Sequence, residues 1–267
     1  MFKSYYNLTF NPFDKSIKCS QSFETTDYKE MLSRLNFLKD NKGIGLFTSS
    51  PGMGKTFAIR CFSETLNPNL YKFIYITLST VTTLEFYKQL SDALGLESFP
   101  RKNQLFKSIQ ENFMHLVKNK KMNIYCVIDE AQYLNTDILK DLKMLMNFSM
   151  DSKDYASLVL IGHPILNDIL DKQVHEALKQ RIVIHYNFQG IKEPEAFEYI
   201  ISRISLAGAS KSMIDDAAIR SLYNSCNGSL RRLNLLITKA LILGSQLQKT
   251  VIDTELILAA NNELALR

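Results

Sequence analysis

The sequence predicts an α/β fold, a five-stranded parallel sheet flanked by helices, followed by a small C-terminal helical domain. Three observations carry this. Short apolar runs rich in β-branched residues recur five times between positions 44 and 186. Amphipathic helical patterns separate them, the alternation of a parallel sheet covered on both faces. Beyond Gly190 the runs stop and only helical patterns follow.

The elements follow in order. Residues 1–25 are turn-rich and aromatic, with Tyr5, Tyr6, Phe10, Pro12 and Phe13. Asp27 with Glu30 has the capping-box spacing, so a helix is expected to open there. Tyr28, Met31, Leu32, Leu35 and Leu38 share one face of it, and Asn41 to Gly43 stops it. The first strand is Ile44 to Phe47, and a Gly-rich turn leads to a helix from about Lys55. Phe73 to Ile76 is the second strand, with helices over 83–95 and 103–118 after it. Asn123 to Ile128 is the third strand, and a helix over 136–149 follows. Ser157 to Ile161 and Ile182 to Tyr186 are the fourth and fifth strands. Residues 192–207, 215–225, 229–243 and 253–263 read as helices, the first with a stripe of Phe197, Ile200, Ile201 and Ile204. A domain boundary is placed near 190.

Composition narrows the class. Apolar residues at 46% and charged residues at 22% exclude disorder as the main state. Lys+Arg 32 against Asp+Glu 27 gives +5, which suits a polyanionic partner without requiring one. The four cysteines, 19, 61, 126 and 226, have no zinc spacing and read as reduced thiols. No signal peptide or membrane span is apparent, so a cytoplasmic protein without membrane attachment is expected.

The strongest motif is Ser49-Ser50-Pro51-Gly52-Met53-Gly54-Lys55-Thr56, between a strand and a helix. That is the context a phosphate loop requires. Glycines let successive backbone N–H groups turn toward phosphate oxygens, and the helix N-terminus adds its positive dipole end. Lys55 would reach the β- and γ-phosphates, and the Thr56 hydroxyl can ligate Mg²⁺. Ser49 stands where the usual pattern has Gly, which costs something only if that position needs a positive φ. The second motif is the strand Ile124 to Ile128 ending in Asp129-Glu130. Two carboxylates there sit at the carboxyl edge of the sheet, where ligands bind. They are either a helix-capping pair or, following a phosphate loop, a Mg²⁺ ligand in Asp129 and a water-polarising base in Glu130.

On these residues the chain resembles the AAA+ ATPases over nearly its whole length, and within them an ExeA/TnsC-like branch. Four further segments carry the resemblance. Asn7 to Phe13 is similar to an Asn-Pro-Phe box, which implies that Asn11, Pro12 and Phe13 lie near an adenine. Asp129-Glu130-Ala131-Gln132 matches a Walker B ending. Leu160 to Leu166, with Gly162-His163-Pro164, is similar to the fourth-strand segment, which more often reads Gly-Gln-Pro. Gln180-Arg181-Ile182 and Gly228 to Asn234 resemble the arginine-finger and sensor-2 segments.

The resemblance implies ATP and Mg²⁺ as cofactors, with Ser49 through Phe57 (Ser50, Pro51, Gly52, Met53, Gly54, Lys55, Thr56 among them) around the phosphates. It implies an adenine-proximal segment 1–25, a nucleotide-binding domain 26–190 and a helical lid 191–267. His163 is either the sensor-1 group or a cap on the turn before Pro164. Arg181 is either a finger acting in a neighbouring subunit or a surface Arg at a helix end. Arg231 would be sensor 2, with Arg232 as its competitor. A finger in trans implies self-assembly into a ring or helical filament.

Three functions compete. One is a transposition regulator that polymerises on double-stranded DNA with ATP and works with a transposase and a target-recruiting protein. Others are the ATPase of an ExeA-type secretion system and a helicase-loader or initiator ATPase. A scaffold that binds ATP but barely hydrolyses it is a further class. The length suits the transposition regulator, since ExeA-type proteins usually continue into a membrane segment. Candidate DNA contacts are Thr82, Thr83 and Lys88 in the segment starting at Ser79, and Arg101 and Lys102. For any one of them a helix cap or a solvated face is the alternative.

Overall fold

The computed structural model describes residues 2–77, 80–148 and 154–265. The expected 136–149 helix ends sooner, at Leu145; its last expected position and Ser79 lie outside the described residues. The helices are α1 (Phe2–Tyr5), α2 (Thr26–Asn41), α3 (Lys55–Thr65), α4 (Thr83–Leu94), α5 (Lys102–Lys118), α6 (Thr136–Leu145), α7 (Ile165–Leu170), α8 (Glu176–Lys179), α9 (Glu193–Leu206), α10 (Asp216–Cys226), α11 (Leu230–Gln246) and α12 (Thr254–Ala265). The strands are β1 (Gly43–Thr48), β2 (Tyr71–Ile76), β3 (Asn123–Ile128), β4 (Ala156–Gly162) and β5 (Ile182–Asn187). By their contacts, residues group into two compact units. One comprises Glu30–Ser50 and Lys55–Phe188; the other comprises Met1–Lys29, Pro51–Gly54 and Gln189–Arg267.

The first unit is the α/β one. Its strands lie in the order β2-β3-β4-β1-β5, and every pairing is parallel. All β4 residues are buried, and β1 and β3 nearly so, which is why those runs are continuously apolar. The edge strands β2 and β5 leave alternate residues such as Tyr75 and Val183 in solvent. Register pairs Ile76 with Ile128, Ile128 with Leu160, and Thr48 with Gly162. β2 and β3 therefore finish level with each other, β1 and β4 finish two residues further on, and the residues just after them share one edge.

The second unit is helical. Ile200, Ile204, Leu236, Ile237, Leu241 and Ile257 form its core with almost no exposure. Tyr6, Leu8 and Phe13 belong to the same core. Thr9 fastens that N-terminal stretch by giving both its N–H and its hydroxyl to the Ala207 carbonyl.

The start of α2 differs from the capping expectation. Thr25, not Asp27, caps it: Thr25 Oγ1 accepts the Tyr28 N–H at 3.2 Å. The buried Asp27 carboxylate instead accepts the N–H groups of Gln189 (3.1 Å) and Gly190 (2.7 Å). The carboxylate is thus turned toward distant backbone donors, and Thr25 takes the capping position. The expectation for the thiols holds for Cys126 and Cys226, which are free and buried. It does not hold for Cys19 and Cys61, which are disulfide-bonded.

Candidate functional site

The site is built on the neighbouring carboxyl ends of β1, β3 and β4. β1 runs straight into the Ser49–Thr56 loop, and α3 starts at Lys55. Ser49 is buried, and its N–H donates to the Gly162 carbonyl at 3.1 Å, which ties the loop to the end of β4. Ser49 does not adopt a positive φ, so the missing glycine carries no backbone strain. Its hydroxyl accepts from Lys55 Nζ at 2.6 Å, while the Ser49 carbonyl accepts from the same ammonium at 2.9 Å.

Beside Lys55 in sequence, Thr56 Oγ1 lies 3.0 Å from Asp129 Oδ2. Hydroxyl and carboxylate oxygens of this kind are what a hard divalent cation takes. Among the described residues no three His, Cys, Asp or Glu groups could hold a metal together. A cation at Thr56 and Asp129 therefore needs further oxygens, such as phosphates and water, the usual Mg²⁺ arrangement. Asp129 is 6% exposed, and its Oδ1 accepts the Glu130 N–H at 2.9 Å. Glu130 itself is exposed, in the left-handed region at φ 53°.

Two residues here were not singled out from sequence. Tyr75 Oη donates to Asp129 Oδ2 at 2.6 Å from the neighbouring strand. Burial, and then this hydrogen bond, push its phenol above the ordinary range, so it stays a donor at neutral pH. Gln132 Nε2 donates to Glu130 Oε2 at 2.7 Å, and Gln132 Oε1 accepts the His163 N–H at 2.9 Å. The strand register alone places Tyr75 opposite Val127, two residues before Asp129, and is the signal that could have found it.

The other expected residues are distributed as follows. His163 is exposed, and its Nδ1 accepts the Ile165 N–H at 3.4 Å, the turn-capping arrangement. Arg181 Nη1 donates to the Lys143 carbonyl at 3.3 Å. In the helical unit, the loop tip Pro51–Gly54 meets the start of α11. The Arg231 N–H donates to the Gly52 carbonyl at 3.1 Å, and Ser229 Oγ donates to the Pro51 carbonyl at 3.3 Å. Gly52 has φ +85°, and a Cβ there would come within 2.8 Å of Arg231 Cβ, so only glycine fits. Arg232 Nη2 instead donates to Asn261. Asn11 Oδ1 accepts the Phe13 N–H, and Phe13 packs edge-on to Tyr199 inside the helical core.

Of the candidate DNA contacts, Thr82 is the N-cap of α4, in a capping box with Glu85. Thr83 is the first residue of that helix. Lys102 pairs with Asp141 at 2.5 Å and lies over the Tyr87 ring, so its charge is already engaged. Arg101 is exposed and Lys88 is half-buried. None of the described helices is long and apolar enough to cross a membrane.

A family profile described as an AAA domain matches residues 38–170. General secretion pathway protein A of Aeromonas hydrophila is 27% identical over 245 residues, covering 91% of this chain and 44% of that protein. ATP-dependent target DNA activator B of Escherichia phage Mu is 30% identical over 144 residues, covering 52% of this chain and 41% of that protein. The chain thus spans less than half the length of either relative. Among solved structures, Cdc6p from Pyrobaculum aerophilum superposes with a TM-score of 0.72 at 16% identity, covering 94% of this chain and 70% of that one.

Proposed function

We propose that the chain, whose residues 38–170 match an AAA domain, is an AAA+ ATPase of ExeA/TnsC-like kinship that uses ATP and Mg²⁺ and acts as an ATP-switched, self-assembling DNA-binding regulator of DNA transposition. In this reading it forms a ring or helical filament on double-stranded DNA, in the cytoplasm, and engages a transposase and a target-recruiting protein. The observation that carries the reading is the 30% identity to a target DNA activator whose activity depends on ATP.

The site supports a division of labour for hydrolysis. Lys55 exchanges its bonds with Ser49 for bonds to phosphate oxygens, and the loop amides add donors around them. Thr56 and Asp129 would hold Mg²⁺, which supplies Lewis-acid withdrawal of charge from the phosphates. Glu130 accepts a proton from the attacking water and orients it. Arg181 acts in the neighbouring subunit, where a guanidinium stabilises the charge of the transferring phosphoryl group. By the resemblance, Arg231 and His163 would sense the phosphates, and Asn11, Pro12 and Phe13 would serve the adenine.

A net +5 over one chain binds a duplex weakly. Assembly repeats the same few cations along the phosphates, so affinity grows with oligomer length. A second reading, an ATPase of a secretion complex, is favoured by the 91% coverage of this chain by the secretion-pathway relative. DNA affinity against salt, with and without a non-hydrolysable ATP analogue, separates the two. The transposition reading expects ATP-dependent, weakly sequence-selective and strongly salt-sensitive binding. Binding absent in every nucleotide state removes that reading in favour of a protein-only partner.

A further inference from the structure

We infer that Gln132 is a positioning residue, which aims the Glu130 carboxylate and ties it to the end of β4 and, through it, to the start of the phosphate loop. The inference rests on the reading of Glu130 as the water-activating group. The amide of Gln132 is engaged at both ends: Oε1 takes the His163 N–H at 2.9 Å, and Nε2 gives a proton to Glu130 Oε2 at 2.7 Å. Its orientation is forced. A backbone N–H can only donate and a carboxylate only accept, so the amide oxygen must face His163 and the NH₂ must face Glu130.

The surroundings are shaped to receive it. Gly162 precedes His163, and a Cβ on Gly162 would sit 2.6 Å from Gln132 Oε1. Any larger residue at 162 would push the amide out. Gly162 also accepts the Ser49 N–H through its carbonyl. A continuous series of bonds thus joins the first residue of the phosphate loop, the end of β4, Gln132 and Glu130. The Glu130 backbone is held from the other side by Asp129 Oδ1 and sits in the left-handed region. A base fixed at backbone and side chain loses less freedom when it must orient water, which is the benefit of a supporting shell.

Gln132→Met keeps the length of the side chain and removes both hydrogen bonds. In the full chain, turnover at saturating ATP should fall by about 10–100-fold, the usual cost of losing a supporting partner. ATP affinity, read by a fluorescent analogue, should stay within about twofold, since the loop donors are untouched. In the nucleotide-free protein, exchange of the His163 amide, followed by NMR, should accelerate. Gly162→Ala should reproduce all three effects by displacing the amide. The double variant Glu130→Gln with Gln132→Met should be no slower than Glu130→Gln alone, because Gln132 works only through Glu130. Wild-type turnover in Gln132→Met, with Glu130→Gln inactive, overturns the inference and leaves Glu130 in its role. A loss of turnover without faster His163 exchange overturns the tie to β4. Wild-type turnover in Glu130→Gln instead removes the reading on which both depend.

Discussion

Two sets of buried polar groups, one in each unit, serve different ends. In the α/β unit, Thr48, Ser49 and Asp129 are buried at the carboxyl ends of strands, where they bond to side chains and loop groups at the candidate site. In the helical unit, Asp27 and Arg203 are buried against backbone: Asp27 against the N–H groups of Gln189 and Gly190, Arg203 Nη1 against the Gln21 carbonyl at 2.8 Å. The first set can trade partners when a phosphate or cation arrives. The second closes distant chain segments onto one core and has nothing to trade. Substitution should therefore affect chemistry in one unit and folding in the other.

The largest effect expected is on turnover. Glu130→Gln should lower steady-state ATP hydrolysis by about 10²–10⁴-fold, the range for a lost general base. Its melting temperature should be unchanged, because Glu130 is exposed. A large loss of stability in that variant would break the comparison from the α/β side. Leu236→Ala in the helical core should do the opposite. It should cost about 2–5 kcal/mol in chemical denaturation, the range for a large-to-small change at a fully buried site.

Asp27→Ala should cost somewhat less, about 1–3 kcal/mol, since it strands two backbone donors without opening a large cavity. Tyr75→Phe sharpens the comparison further. It removes one donor to Asp129, so Mg²⁺ dependence of nucleotide binding should shift by a few-fold while stability moves by about 1 kcal/mol. Equal stability losses from Tyr75→Phe and Asp27→Ala would show that the two sets of polar groups do not differ.

The smallest effect is the response to acid. His175 is 1% exposed in the α/β unit, and among the described residues neither ring nitrogen has a hydrogen-bond partner. Burial, then the charges of Lys140 and Lys172, hold it below its ordinary value of 6.5. The unfolded chain then binds the proton more readily. Stability from this group is full above 6.5 and is lost as pH falls through the lower folded value. Glu195, in the helical unit, accepts the N–H and the hydroxyl of Thr26, both at 2.6 Å. Burial raises its carboxyl, but the bonds to Thr26 and the Lys192 N–H outweigh that and hold it below 4.5. Its contribution is full above 4.5 and lost below, so it starts to fall at a more acidic pH. Hydrogen exchange between pH 7 and 4 should show α/β amides loosening first. His175→Gln should remove the upper part of the response.

Much of this was legible in the sequence because burial writes itself as runs of apolar residues. All five strands fall where the runs do, and the helical stretch after Gly190 is there. Legibility failed where a side chain's partner is distant in the chain. Asp27 and Glu30 have capping spacing, but the Asp27 carboxylate bonds to residues 162 and 163 positions away. Lys102 reads as a DNA contact or a solvated cation, yet Asp141 and Tyr87 take it up. Thr82 does read as a cap, because capping is local. Gln132 stood within a quoted motif without a role, since its work depends on the end of β4 lying beside it.

Ser49 has a consequence for timing. Its hydroxyl gives Lys55 an acceptor that a glycine would not, and the Ser49 and Ser50 carbonyls give two more. The ammonium therefore has a resting berth inside the loop. An arriving phosphate must draw Lys55 off that berth, which weakens binding, and a departing one leaves a cation that is solvated at once by its own chain. Such a loop resets quickly after each cycle at the expense of grip. A nucleotide held by such a loop is suited to brief occupancy.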